Sequence, residues 1–590
     1  MAQLRTHRAL DTASVEPGTD VILGGWVART RDMGGVVFFD LRDASGKVQV
    51  VADPAAVAGV DELKMEYCVR VIGVVRERPD GTVNDDLATG AVEVHATEVE
   101  VLSPADTLPF MIDDRFDVDE LTRLQYRYLD FRRDRMASIL RARSKATAAI
   151  RRTLDDLGFL EVETPTLIAS TPEGARDMLV PSRLRQGSFY ALPQSPQIFK
   201  QLLMVGGVDR YFQFARCYRD EDFRADRQLE FTQLDLEGAF WDEEDVRATI
   251  EETIVAATEA VRGVRPPSPF PTLTWREAMD RYGSDKPDTR FGMELTDLST
   301  LFDGTEFRGF GAALADGGVV YGINAGALGL SRAGFDKLTE QAKAAGAAGL
   351  VWGVLEEDGT LRSPVAKFLS ENEIAGVIGA LGAELGDTLL IVAGPWRTTV
   401  EALGDLRKEL GEAEDPDALA YLWVVDFPVF DVTDDGTLVP AHHPFTAPRS
   451  VADLTERPAE AIAKAYDLVL NGTELGSGSV RIHDPVTQAT VFDVLGIAAE
   501  EAEARFGWFL RALRFGTPPH AGFAYGMDRL VALLVGASSI REVIPFPKTQ
   551  RGVDPLTGSP TPVEPTQLAE LGLDLSAATK AALSEAAPDA

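Results

Sequence analysis

From residue 21 to residue 101, apolar residues gather in five short runs, some continuous and some alternating with polar positions, bounded by turn signals. That pattern predicts strands at 21–28, 36–41, 47–51, 67–75 and 91–101. Met33-Gly34-Gly35 and Ser45-Gly46 supply turn signals between them. Residues 55–66, between the third and fourth runs, carry helical spacing instead. Five strands with a helix at that point predict an OB barrel, although another small β-barrel satisfies the same pattern.

Further along, 138–157 reads as one long helix, and 211–238 as two alternating segments joined by a charged loop, hence an antiparallel hairpin. Period-two spacing puts Cys217, Arg219 and Glu221 on one face of its first strand, opposite Phe212 and Phe214. It groups Phe231, Gln233, Asp235 and Glu237 on one face of the second. Residues 310–420 become rich in Ala and Gly, with Ala344-Ala345-Gly346-Ala347-Ala348-Gly349 as the extreme, and read as an inserted domain. Strand-like character resumes at 421–430, and His442, His443, His483 and His520 follow within the next hundred residues. Pro555, Pro560, Pro562 and Pro565 mark an extended exit before a terminal helix at 566–587. The expected class is α+β: a barrel at 1–106, a hinge at 107–138, a catalytic domain in two parts at 139–292 and 421–553, the insert at 293–420, and a C-terminal extension at 554–590.

Composition fits several folded domains: 590 residues, 45% hydrophobic and 26% charged, which excludes wholesale disorder. With 58 Lys and Arg against 93 Asp and Glu, the net charge of −35 repels phosphate on average. Any nucleic-acid contact must then come from a local basic patch. Residues 121–152 hold ten Arg or Lys against two Asp, which suits either a solvated helix face or a phosphate track. Two cysteines, Cys68 and Cys217, neither staple the chain nor offer metal-ligand spacing. With no leader pattern and no uncharged apolar run of 18 residues, a cytoplasmic protein without a membrane span is expected.

Candidate chemistry gathers at two places. Arg219, Glu221, Arg224, Arg227 and Gln228 surround one turn, and several guanidinium forks converging from a short loop suit a polyphosphate. In 519–535, small residues lead through Gly526 into an apolar helix with Arg529 in its first turns, a weaker anion signal. There is no lysine-bearing phosphate loop and no GxGxxG turn.

Three segments carry a resemblance. FQFARCYRDEDFRADRQLEFTQLDLE (212–237) and AGFAYGMDRL (521–530) resemble motifs 2 and 3 of class II aminoacyl-tRNA synthetases, and GFLEVETP (158–165) resembles motif 1, in the family's order. STPEGARD (170–177), QSPQIFKQ (194–201), AHHPFTAP (441–448) and the insert are similar to the bacterial aspartyl branch of that family. The resemblance implies an anticodon-reading OB barrel, an antiparallel catalytic sheet with flanking helices, and an inserted α+β domain. It also implies a homodimer that activates L-aspartate with ATP and Mg²⁺ and transfers it to tRNA(Asp). A relaxed enzyme that also aspartylates tRNA(Asn) is the alternative. Runners-up are an asparaginyl or lysyl enzyme of the same architecture, and a tRNA-binding paralogue with a dead site.

Carried over residue by residue, the resemblance implies Arg219, Arg529 and Glu221 as catalytic. Aspartate would meet Glu173, Ser195, Gln197, Lys200, Arg219, Gln233, Asp235, His442 and Arg481. ATP would meet Arg219, Asp220, Glu221, Gln228, Phe231, Glu474, Gly526, Met527, Asp528 and Arg529, with Asp467 and Glu474 as Mg²⁺ ligands. Arg31, Phe38, Gln49 and Glu93 would read the anticodon; by its apolar run alone, Phe38 reads as core. Met33 and Gly81 bear on tRNA choice and point in different directions. One spacing needs a structural device: strict alternation through NGTELGSGSVRIHD (471–484) puts Glu474 and Arg481 on opposite faces, so a bulge or kink at Gly476 or Gly478 is expected.

Overall fold

The computed structural model describes residues 3–170, 176–222, 224, 226–433 and 436–586. Five strands close into a barrel in the order β1-β2-β3-β5-β4: β1 Asp20–Asp32, β2 Val37–Arg42, β3 Lys47–Ala52, β4 Cys68–Glu77 and β5 Val92–Ser103. Alternate residues point inward, so Val21, Leu23, Val27, Phe39, Leu41, Val50, Val69 and Val71 fill one core. The parallel β3–β5 pairing closes the barrel, as an OB fold requires. Phe39 is the buried phenylalanine of β2, and the pleat turns Phe38 outward to a half-buried position. The helix expected at 55–66 is reduced to a 3₁₀ turn, Val60–Glu62. Gly59 and Glu66 both take positive φ, and the Glu66 carboxylate is drawn into the barrel by Arg42 at 2.7 Å, which leaves no room for a regular helix.

The chain forms two compact units, Met1–Arg141 with Pro545–Thr561, and Ala142–Ile544 with Pro562–Ala590. In the first, Arg127 donates to the Pro545 carbonyl at 2.9 Å and Phe546 stands edge-on to Phe131, so the end of the segment expected as the second catalytic part packs with the hinge instead. The basic run is largely consumed by ion pairs. Asp130, fully buried, takes Arg123 and Arg127, Glu66 takes Arg132, and Asp114 takes Arg133. Those arginines serve packing rather than a phosphate track, because a guanidinium whose donors already bond a buried carboxylate has little left to offer.

The second unit is built on a sheet of eight strands among the described residues. Their order is Thr272–Thr274, Tyr421–Val425, Ala465–Leu470, Thr473–Val480, His520–Gly526, Glu230–Ala239, Arg210–Tyr218, Leu160–Glu161. Both outermost pairings are parallel and the rest are antiparallel. Neighbours in this sheet come from residues hundreds apart in sequence, because Thr296–Asp297 to Gly394 form a separate five-stranded sheet with its own apolar clusters. The helix Trp396–Leu410 leads back from it to the main sheet. Gly283 and Gly404 let that helix close on the preceding segment: a Cβ on Gly283 would lie 2.1 Å from the Val400 carbonyl, and one on Gly404 2.2 Å from the Gly283 carbonyl. At the C-terminus, the single expected helix is two, Pro565–Glu570 and Ala577–Ala586, since Gly572 at φ +67° ends the first. Among the described residues, no helix is long and apolar enough to cross a membrane.

Candidate active site

The antiparallel hairpin Arg210–Tyr218 and Glu230–Ala239 sets Phe231 opposite Cys217, Gln233 opposite Ala215, Asp235 opposite Gln213 and Glu237 opposite Tyr211. On its other side, Gln233, Asp235 and Glu237 face Gly526, Ala524 and Gly522. Those small residues are needed: a Cβ on Gly522 would lie 1.8 Å from a Glu237 carboxylate oxygen. Glycines also bring the strand Thr473–Val480 against His520–Gly526, where a Cβ on Gly476 or Gly478 would meet carbonyls at 2.2 and 2.4 Å.

That strand carries a bulge. Val469 pairs with Glu474 but Leu468 pairs with Gly476, so Leu475 is the extra residue. Its parity shift brings Glu474, Ser477, Ser479 and Arg481 to one face, and all four line a cleft of about 760 Å³ over the sheet.

At one end of this cleft lies a buried four-charge network. The Lys200 ammonium, fully buried, donates to Asp235 at 2.8 Å and stands 3.4 Å from Glu237. Arg481 grips Glu237 with two bonds of 2.9 and 3.2 Å and donates to the Ser479 hydroxyl at 2.7 Å. Burial raises the Asp235 pKa against the pull of Lys200. For Glu237 burial also pushes upward, but Arg481 and Lys200 outweigh it and hold the carboxyl below its ordinary range. Asp235 keeps one buried carboxylate oxygen without a partner among the described residues, an acceptor ready for an incoming cation.

Around this network, Ser195 accepts the Gln197 N–H at 3.3 Å, and the Gln233 carbonyl accepts the Cys217 thiol at 3.2 Å. His442 and His443 line the cleft with their Nε2 atoms unpartnered among the described residues, and burial holds both imidazoles below their ordinary pKa. Glu173 lies outside the described residues.

At the other end, the Arg219 guanidinium sits 5.1 Å from the centre of the Phe231 ring, its Nε buried and unpartnered among the described residues. Glu221 pairs with Arg227 at 3.1 Å, and Gln228 is buried in the wall. Gly526 leads into the helix Met527–Leu534, whose Arg529 donates to the Glu474 carbonyl and reaches Asp226 at 3.3 Å. Asp528 is spent on structure: it accepts the Thr232 N–H at 2.8 Å and pairs with Arg143, fastening the helix to the hairpin. Two expected ATP residues stand away from the cleft. Met527 packs inward on its helix, and the exposed Asp220, opposite in parity to Arg219 and Glu221, turns to Arg176 at 3.7 Å.

Asp467 and Glu474 share this end. Burial, then Glu474, pushes the Asp467 carboxyl well above its ordinary pKa. Its Oδ1 is buried without a partner among the described residues, an acceptor of the kind a cation satisfies. Among the described residues, no three His, Cys, Asp or Glu side chains form a metal cage. Two hard carboxylates instead suit Mg²⁺, which keeps waters and shares its ligands with substrate phosphates.

Several groups at the cleft escaped the residue list read from sequence, Glu237 and Asp285 among them. Glu237 carried a signal, since period-two spacing already placed it beside Asp235. Asp285, in the cleft wall, had none, because it arrives from a loop before the insert.

In the barrel, Arg31 donates to Asp40 and Gln49 at 3.3 and 3.2 Å, and Gln49 donates to Glu93 at 2.8 Å. Phe38 stands opposite Arg31 across the β1–β2 ladder, so the four expected residues share one outer face. Met33 is exposed, and Gly81 takes φ +79°.

Residues 119–550 match the family model for tRNA synthetases class II (D, K and N), and 21–102 match the OB-fold nucleic acid binding domain. The Aspartate--tRNA(Asp/Asn) ligase of Moorella thermoacetica is 51% identical over 96% of both chains. The ligase of the same name from Thermobifida fusca is 51% identical over 97% of this chain and 98% of its own. Among solved structures, a putative aspartyl-tRNA synthetase from Leishmania major is similar in fold, with TM-score 0.58 at 20% identity over 93% of this chain and 94% of that one.

Proposed function

The chain belongs to the class II tRNA synthetases of the D, K and N group, and from that membership we propose that it ligates L-aspartate to tRNA through an aspartyl-adenylate. The observation that carries the choice of amino acid is the pair of buried cations, Lys200 and Arg481, at the closed end of the cleft. A substrate side chain that is itself an anion is stabilised there; lysine would need an acidic pocket, and asparagine would not call for two cations.

In the first step, the aspartate α-carboxylate attacks the ATP α-phosphorus and pyrophosphate leaves. Arg219 stabilises the charge that builds on the α-phosphate, and Phe231 stacks the adenine. Gln228 and Glu221 hold the base edge and the hairpin loop, while Arg529 takes the γ-phosphate. Asp235 takes the substrate ammonium on its free oxygen, with Gln233, Ser195, Gln197 and His442 as further pocket groups, while Lys200 and Arg481 face the β-carboxylate. Asp467 and Glu474 would hold Mg²⁺, which when bound neutralises phosphate charge. In the second step, a ribose hydroxyl at the tRNA 3′ end takes the aspartyl group. The positions of these groups supply most of the acceleration, since none of them is a covalent nucleophile.

For the acceptor, we propose tRNA(Asp) first, read by the barrel face of Arg31, Phe38, Gln49 and Glu93. The names of the relatives favour tRNA(Asn) as a second acceptor. A homodimer working in the cytoplasm belongs to the same reading. Charging purified tRNA(Asp) and tRNA(Asn) in parallel with labelled aspartate tests it: aspartylation of both supports the wider reading, of tRNA(Asp) alone the strict one, and of neither removes it.

Phe38→Ala should reduce tRNA charging by about tenfold or more, since stacking a base on an aromatic contributes about 1–3 kcal/mol. Aspartate-dependent pyrophosphate exchange should stay unchanged. An equal loss in both assays would mean that Phe38 supports the barrel rather than the RNA.

A further inference from the structure

The loop 283–292, between the helix Trp275–Tyr282 and the inserted domain, is held by the insert and delivers Asp285 to the cleft. Its clamp is Arg407, on the helix Trp396–Leu410 and 97% buried by a residual exposure of 3%. Arg407 donates to the carbonyls of Asp288, Phe291, Gly292 and Met293 at 2.8 to 3.2 Å. The Phe291 and Tyr282 rings lie 4.2 and 4.9 Å from its guanidinium. One guanidinium that bonds four loop carbonyls fixes the path of that backbone.

The same loop leans on the part of the sheet that carries the expected metal ligands. A Cβ on Gly472, in the turn between the strands of Asp467 and Glu474, would lie 3.1 Å from the Asp288 side chain. Asp285 itself pairs with Lys286 at 3.0 Å, and both act electrostatically on Asp467. Lys286 also acts on Glu474. The other carboxylates of the cleft are committed elsewhere: Glu221 to Arg227, Asp226 to Arg529, Asp431 to Arg397 and Asp528 to Arg143. Asp467, 6% exposed with its free Oδ1, points to a cation in this corner independently of the acidic cluster.

Resting on the function proposed above, we propose that Asp285 is a third acidic group for the Mg²⁺ at Asp467 and Glu474, acting through water, and that the inserted domain sets its place through Arg407. Among the described residues no three such side chains converge on one point, so the contact is placed through water. A carboxylate one water away from such a cation would orient that water and add negative charge to the site. Asp285 and Arg407 are thus positioning residues, and Lys286, paired with Asp285, would compete with a divalent cation for this acidic corner.

The test is Mn²⁺ binding by the full chain with a non-hydrolysable ATP analogue, followed by electron paramagnetic resonance, beside the Mg²⁺ dependence of aspartate-dependent pyrophosphate exchange. Asp285→Asn should weaken Mn²⁺ binding by about tenfold, in the range that partners of metal ligands contribute, and raise the half-saturating Mg²⁺ in proportion. The KM for aspartate should not move. Lys286→Met should shift Mn²⁺ binding the opposite way, which a merely structural loop would not produce. Arg407→Lys, which keeps a cation but loses the fork, should follow Asp285→Asn. Unchanged Mn²⁺ binding in Asp285→Asn, with the fold intact, would overturn the inference. Absence of exchange in the unaltered chain would instead overturn the function on which it rests.

Discussion

Replacing Arg481 with leucine is expected to abolish aspartate-dependent pyrophosphate exchange while ATP binding persists. Arg481 is 4% exposed and gives two bonds to Glu237. Without it, Glu237 keeps only Lys200 at 3.4 Å, and Lys200 is already bonded to Asp235. Breaking such a buried pair costs about 3–5 kcal/mol, so the variant should also be less stable. The pH dependence of stability should change too. Arg481 and Lys200 hold the Glu237 carboxyl below its ordinary pKa, so its contribution is present at neutral pH and lost as pH falls below the ordinary glutamate range. Arg481→Leu should weaken that acid sensitivity. The double variant Arg481→Leu with Glu237→Leu separates the two effects, because removing both charges should recover stability without recovering exchange. Urea unfolding and exchange on the four proteins of this cycle give the answer, and recovered exchange in the double variant would remove Arg481 from the aspartate pocket.

Replacing Arg219 with alanine should lower kcat for exchange by about 10²–10³-fold, equivalent to about 3–4 kcal/mol, the usual worth of a donor aimed at developing charge. Arg219 has no ion-pair partner among the described residues and only the Phe231 ring beside it, so its loss should cost little stability. The contrast with Arg481 is the useful part: that arginine is also tied to a buried carboxylate of the protein, whereas Arg219 has no ion-pair partner among the described residues. Thermal unfolding beside single-turnover adenylate formation distinguishes them. A large loss of stability with only a small loss in rate would make Arg219 a structural residue.

The barrel was legible because β1 and β4 alternate in burial along most of their length and the turns carry Gly, so local pattern and global fold agree there. The 55–66 segment misled because a side chain far away, Arg42, captures Glu66. The hairpin face of Phe231, Gln233, Asp235 and Glu237 was legible for the same reason as the barrel. Asp220, assigned to ATP by the resemblance, stands away from Arg219 and Glu221, as its opposite parity in period-two spacing already implied. The conflict between Glu474 and Arg481 was visible as a mismatch of parity, and glycines flagged its neighbourhood; that the extra residue is Leu475 required the pairing partner, Val469, which no local pattern supplies. The role of Asp528 and the clamp of Arg407 were invisible in sequence, since both depend on groups more than a hundred residues away.

Aspartate-dependent exchange of labelled pyrophosphate into ATP, with asparagine and lysine in parallel, puts the account at most direct risk. Exchange with aspartate alone is the expected result. Exchange with asparagine or lysine in its place, or none with a folded chain, would contradict it.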